Sequence, residues 1–137
     1  MVEVTINYWA LIVAALANMI VGMLWYGPLF GKKWMQLVGI TADGMKSMAM
    51  KPWQAMIGGL INSLIIAYVL LFFTVTWVTP DIGGALFGAF WIWLGFVATT
   101  QIGSFLWEGK PITLFLINTS YSLVAYGVMS AILVLWR

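Results

Sequence analysis

The side chains placed to do chemistry inside this chain are amides: Asn18, Asn62, Gln101 and Asn118, each set in a long apolar stretch. A carboxamide donates and accepts hydrogen bonds without carrying a charge. The acids, by contrast, are Glu3, Asp43, Asp81 and Glu108, all in tails or at the ends of apolar runs. None lies deep in a run, where an ionisable group would mark an ion path or proton relay. The chain has no histidine and no cysteine, so imidazole acid–base chemistry, thiol nucleophiles, thiolate metal sites and disulfides are all excluded. No nucleotide loop, zinc motif or catalytic-triad spacing occurs, and the pairs Gly58-Gly59 and Gly83-Gly84 follow no strand that would make them phosphate cradles. The expectation is a protein that is no enzyme, holds no cofactor or metal, and binds no nucleic acid.

The elements that must carry those amides are membrane spans. Of the 137 residues, 64% are hydrophobic and 7% charged, against about a quarter charged in ordinary soluble domains. Apolar runs of about twenty residues cross a bilayer as helices. Four are predicted, over about 6–26, 52–77, 80–107 and 111–136, in a single transmembrane domain covering 1–137. The first run is span-length and lacks a basic leader, so it reads as a mature helix rather than a cleavable signal. Gly27-Pro28 is expected to end it. Before the third, Thr79-Pro80-Asp81 reads as cap, first-turn proline and first-turn acid.

Tyr8 and Trp9 at one end of the first run, and Trp25 and Tyr26 at the other, read as rings at the two headgroup levels. Ala10, Ala14, Asn18 and Gly22 form a stripe of small residues, as do Gly59, Ser63 and Ala67, and Gly95, Thr99 and Gly103. Gly84 and Gly88 make a GxxxG pair. Such stripes let helices approach closely, and their number predicts a homo-oligomer. Trp91 and Trp93 fall near mid-span and face different ways, so at most one can line a central cavity.

Segment 28–51 is the long polar connection. Phe30, Trp34, Leu37 and Val38 recur at helical spacing with Lys33 and Gln36 off that face, which predicts a short helix lying on the membrane. Thr41 is placed to cap a further turn. Met45, Met48 and Met50 make either an adaptable binding surface or an edge resting on lipid. This segment carries Lys32, Lys33, Lys46 and Lys51, and the turn after Trp107 carries Glu108 and Lys110. The other face has Arg137 alone. The Lys/Arg excess therefore predicts both termini outside and the long loop in the cytoplasm of an inner (plasma) membrane. The charges at the loop face read as topology signals that meet anionic headgroups.

With about 1.5 Å of rise per residue, the four amides fall about 9–15 Å inside the loop-side boundary, one per span. Two readings stay open: a polar site or narrow pathway entered from the loop face, or amides that bond one another and hold the helices together. The motifs Leu24-Trp-Tyr-Gly27 and Leu106-Trp-Glu-Gly109, followed by Leu60-Ile-Asn-Ser63 and Leu116-Ile-Asn-Thr119, also read as a parallel duplication of one helical hairpin.

The stretch Leu24-Trp-Tyr-Gly-Pro-Leu-Phe-Gly-Lys-Lys-Trp34, with Asn18 before it and the later Leu-Trp-Glu-Gly, resembles the small bacterial membrane-protein family labelled domain of unknown function number 1761. The resemblance spans essentially the whole chain. It implies a four-helix membrane protein whose shared motif comprises Asn18, Trp25, Tyr26, Gly27, Pro28, Phe30, Gly31, Lys33 and Trp34, and it supplies no activity.

The sequence thus predicts an all-α integral membrane four-helix bundle with an interfacial segment between the first two spans. It offers two functions: an oligomeric transport- or channel-like protein with Asn18, Asn62, Gln101 and Asn118 along the route, or a structural or accessory protein whose 28–51 loop binds lipid or a partner.

Overall fold

The structure is a computed structural model that describes residues 5–76 and 81–136. Glu3, Trp77, Thr79, Pro80 and Arg137 lie outside the described residues. Helix α1 covers Tyr8–Leu29, α2 Gly31–Val38, α3 Ala42–Lys46, α4 Pro52–Thr76, α5 Ile82–Leu106 and α6 Ile112–Leu135. Among the described residues there is no strand. Four of the helices, α1, α4, α5 and α6, are long and apolar enough to cross a membrane.

Local chemistry sets the helix ends. Asn7 opens α1, its side chain accepting from the backbone N–H groups of Trp9 and Ala10 at 3.1 and 3.3 Å. Its own amide donates to the carbonyl of Trp136 at 3.0 Å, tying the start of α1 to the end of α6. Thr41 caps α3 through Gly44 N–H at 3.0 Å. The cap of α5 is Asp81, which accepts from Gly84 N–H at 2.8 Å, so the helix begins at Ile82 rather than at the proline. A carboxylate beside the unpaired N–H groups of a first turn is favoured both as acceptor and by the helix dipole.

Gly27-Pro28 does not end α1. The helix widens there into a π-helical turn over Trp25–Leu29 that contains Pro28, with Phe30 N–H reaching Trp25 C=O at 2.9 Å. The chain then bends at Phe30, the one residue between α1 and α2. A Cβ on Gly31 would stand 2.5 Å from the Tyr26 carbonyl oxygen, so only hydrogen fits between the end of α1 and the start of α2. The bend folds α2 back, and the Trp34 ring meets the Tyr26 ring edge-on at 5.5 Å. Gly39 and Gly109 have φ of 74° and 68°, left-handed positions that favour glycine. They end α2 and turn the chain between α5 and α6.

Helix α6 is the hub, packed against α1, α4 and α5. Helices α1 and α4 also pack on each other, whereas α5 leans chiefly on α6. The apolar core sits in the half away from the loop: Ala10 and Ala14 of α1, Ala67, Leu70 and Leu71 of α4, and Met129 and Leu133 of α6. Alanines on α1 and α4 let the backbones close on the larger side chains of α6. The small-residue stripes of α1 and α4 are thus engaged inside one chain, while no atom beyond the helix approaches a Cβ position at Gly58 or Gly95 within 4 Å.

The packing is not that of two equivalent hairpins. Trp25 donates its indole N–H to Ile117 C=O at 3.0 Å, but its counterpart Trp107 is 87% exposed. The two small hydroxyls of the repeated motif do match: Ser63 donates to Gly59 C=O and Thr119 to Phe115 C=O.

Two stability outcomes follow. Gly31→Ala should destabilise by about 1–3 kcal/mol, the usual range for overpacking against fixed backbone, seen as a lower thermal midpoint in detergent, with Gly58→Ala unchanged as control. Ser130 is fully buried and its hydroxyl has no partner among the described residues. Ser130→Ala should therefore raise the midpoint, by an amount equivalent to about 1–2 kcal/mol.

Candidate functional site: a polar groove along α6

Polar groups in a bilayer must find partners inside the protein. In the loop-side half of this bundle they do so across helices. Tyr121 of α6 donates to Asn18 Oδ1 at 2.6 Å. Asn18 Nδ2 donates to Ser63 Oγ of α4 at 2.8 Å, and Ser63 in turn donates to Gly59 C=O at 2.8 Å. Three spans are thereby linked through one buried amide. A turn nearer the loop, Tyr26 donates to Asn118 Oδ1 at 2.8 Å, and the Tyr26 and Tyr121 rings meet edge-on at 5.3 Å. Helix α5 is held differently, by the indole N–H of Trp93 on Thr119 C=O at 2.8 Å.

Two adjoining cavities lie along α6 between α5 and the α1–α4 side. The outer one, about 530 Å³, is lined by Tyr26, Thr100, Gln101, Gly103, Ser104, Trp107, Glu108, Phe115, Asn118, Tyr121 and Ser122. The inner one, about 440 Å³, runs to Asn18, Asn62, Ile66, Phe96, Val97, Ala125 and Tyr126. Thr100, Gln101, Tyr121 and Ser122 line both. Tyr126 lies about 21 Å along α6 from its start, about two-thirds of a typical 30 Å hydrocarbon core. Beyond it the alanine, leucine and methionine core fills the remaining depth. The groove thus runs from Trp107 and Glu108 at the loop end to Tyr126, where the apolar core begins.

The α5 wall is built on an irregularity. Over Trp93–Ala98 the helix is π-helical, a feature frequent at functional sites. Thr99 and Thr100 donate to the Gly95 and Phe96 carbonyls at 2.6 and 2.8 Å, which keeps the widened turn satisfied in lipid.

Of the four sequence-assigned amides, Asn18, Asn62 and Gln101 meet at the inner cavity, and Gln101 and Asn118 at the outer one. They do not bond one another. Asn18 and Asn118 are held by tyrosines, while the side chains of Asn62 and Gln101 have no hydrogen-bond partner among the described residues. Trp107 and Glu108 stand at the mouth, and Glu108 pairs weakly with Lys110 at 3.7 Å, both more than half exposed. Lys32 and Lys33 are exposed and line neither cavity. Trp25 and Tyr26, at the loop end of their span, turn their polar atoms inward onto α6. Phe30 packs on Trp25 with ring centroids 5.0 Å apart. Trp93 faces α6, and Trp91, 54% exposed, faces outward with Phe87 and Phe90.

Tyr121, Tyr126, Ser104 and the hydrogen-bonding role of Tyr26 were not assigned from sequence. A signal existed: Asn118, Tyr121, Ser122 and Ala125 are spaced i, i+3, i+4, i+7, one face of a helix, and both tyrosines sit well inside a span.

Fold and groove together define a small multi-pass helical membrane protein with a polar cleft along α6. The chain matches the family model described as protein of unknown function (DUF1761) over residues 9–134, and it belongs to that family. No curated protein and no solved structure matches it.

The absence of cysteine makes accessibility a clean probe. Thr100→Cys and Ser122→Cys should label with a membrane-impermeant maleimide added at the loop face, and Leu70→Cys should not. Asn18→Leu removes two interhelical bonds and should cost about 0.6–2 kcal/mol, measured by thermal unfolding.

Proposed function

We propose that this protein is transport-like: it admits a small polar solute from the loop face into the groove along α6. The observation that carries this reading is the pairing of a cleft that extends along α6 as far as Tyr126 with two amides, Asn62 and Gln101, that line it and have no hydrogen-bond partner among the described residues. Glue would have them bonded to neighbours, because an amide facing lipid unpaired is costly. The apolar core beyond Tyr126 favours a solute-binding carrier over a permanently open pore. The four spans of one chain suffice to line the groove, so the homo-oligomer is a separate part of the proposal.

The Lys/Arg excess of segment 28–51 and the following turn supports a cytoplasmic mouth in a plasma membrane. The alternative, an accessory protein acting through the loop, draws support from exposed Met45, Met48 and Met50. It gives no role to the groove.

Purified protein in liposomes should accumulate at least one labelled small solute from a panel of cations, neutral molecules and anions faster than empty liposomes. Gln101→Leu should reduce that rate about ten-fold, the effect of losing one buried hydrogen bond worth about 1.4 kcal/mol, with folding intact by thermal unfolding. Rates equal to empty liposomes for the whole panel would overturn the transport reading and turn attention to partners of the loop.

A further inference from the structure

The direction of the hydrogen bonds along the groove limits what it can bind. The hydroxyls of Tyr26, Thr100, Ser104, Tyr121 and Ser122 all donate their protons to protein acceptors. Each therefore turns only lone pairs toward a ligand. The indole N–H groups of Trp25 and Trp93, which could have faced an anion, are engaged by α6 carbonyls. The free N–H donors left on these walls are the amide groups of Asn62, Gln101 and Asn118 and the Trp107 indole at the mouth, set beside the lone pairs of five hydroxyls, the amide oxygens and the Glu108 carboxylate. Glu108 is the one charged residue among the lining, and it stands at the mouth. The aromatic rings of Tyr26, Trp107, Phe115 and Tyr121 also line the outer cavity, and a ring presented by its face attracts cations.

Resting on the solute-binding reading above, we propose that the groove selects a small organic cation bearing N–H donors, a protonated amine or guanidinium group, with Glu108 drawing it to the mouth. Such a ligand supplies donors where the walls supply acceptors. An anion would meet those same lone pairs and the Glu108 carboxylate, and its donors would be uncharged amide and indole N–H groups alone. Lys110, 3.7 Å from Glu108, opposes the attraction only in part, because both groups are more than half exposed and water screens such pairs.

The test uses three planar probes of nearly equal size: guanidinium, urea and nitrate. For each, the concentration that halves maleimide labelling of Thr100→Cys is measured in the full-length protein in nanodiscs. Labelling of Ser47→Cys in the exposed loop serves as the control for chemistry unrelated to the groove. Guanidinium should protect at a concentration about ten-fold below urea, since charge-assisted bonds are roughly twice as strong as neutral ones, and nitrate should not protect. Glu108→Gln should raise the guanidinium value several-fold and leave urea unchanged.

Urea protecting as well as guanidinium, or nitrate protecting at all, would overturn the cation selectivity while leaving the solute-binding reading standing. Equal loss for guanidinium and urea in Glu108→Gln would overturn the role of its charge. Absence of protection by all three would overturn the cation site, and the separate uptake measurement then decides the transport reading.

Discussion

The buried amide of Asn18 is the joint on which the bundle depends. In hydrocarbon, apolar side chains gain little by leaving lipid for protein, so helices associate through close packing and hydrogen bonds. Asn18 accepts from Tyr121 and donates to Ser63, which fixes α1 between α6 and α4 in one register. The alanines one and two turns earlier, Ala10 and Ala14, are buried on the same face. They let the backbones come close enough for the amide to reach both partners. Packing and hydrogen bonding here constrain each other: neither stripe nor amide would hold the arrangement alone.

That joint also divides the molecule by depth. Toward the loop, α1, α4 and α6 meet through tyrosines, amides and hydroxyls. Away from it they meet through alanine, leucine and methionine. Helix α5 stays outside the joint and reaches α6 through Trp93, whose partner is a backbone carbonyl. A helix with a small buried share, set beside a polar face, leaves space, and that space is the groove. Its walls are rich in acceptors for a general reason: serine and threonine in a span return their protons to the carbonyl one turn back, leaving lone pairs outward.

Composition and run length made the four spans and the all-α bundle legible, because span length in a bilayer is fixed by the bilayer. The inward stripe Ala10, Ala14, Asn18 was legible from its four-residue spacing. Helix irregularity was not. Pro28 reads as a stop, yet a π turn accommodates it, because a widened turn redistributes the backbone bonds around the missing N–H. Nothing in Trp93–Ala98 announces the second π segment by residue type. The amides were visible as a layer, but their partners were not: Tyr26 reads as a headgroup ring and Tyr121 drew no assignment, and only their direction toward α6 and α1 makes them donors to Asn118 and Asn18. In the repeated motif Leu-Ile-Asn-[Ser/Thr] the hydroxyls make the same bond one turn back, as most Ser and Thr in these spans do, and the asparagines differ in their partners. Both line the cleft, Asn118 held by Tyr26 and Asn62 with no hydrogen-bond partner among the described residues.

A cleft that meets an apolar core beyond Tyr126 would conduct a solute only if some wall moved, and the four walls differ in what a movement would break. Displacing α1, α4 or α6 would pull apart the Tyr121–Asn18–Ser63 chain, or the Asn7 bond that ties the start of α1 to Trp136. Displacing α5 would break the Trp93 bond and a mainly apolar seam with α6, and exchanging apolar neighbours for lipid tails costs little. The π-helical segment lies on that same wall, where its widened turn already holds carbonyls bonded to Thr99 and Thr100 side chains rather than to backbone alone. Under the transport reading, motion concentrates in α5 for this energetic reason, and the three-helix unit gathered around Asn18 is the frame against which it moves.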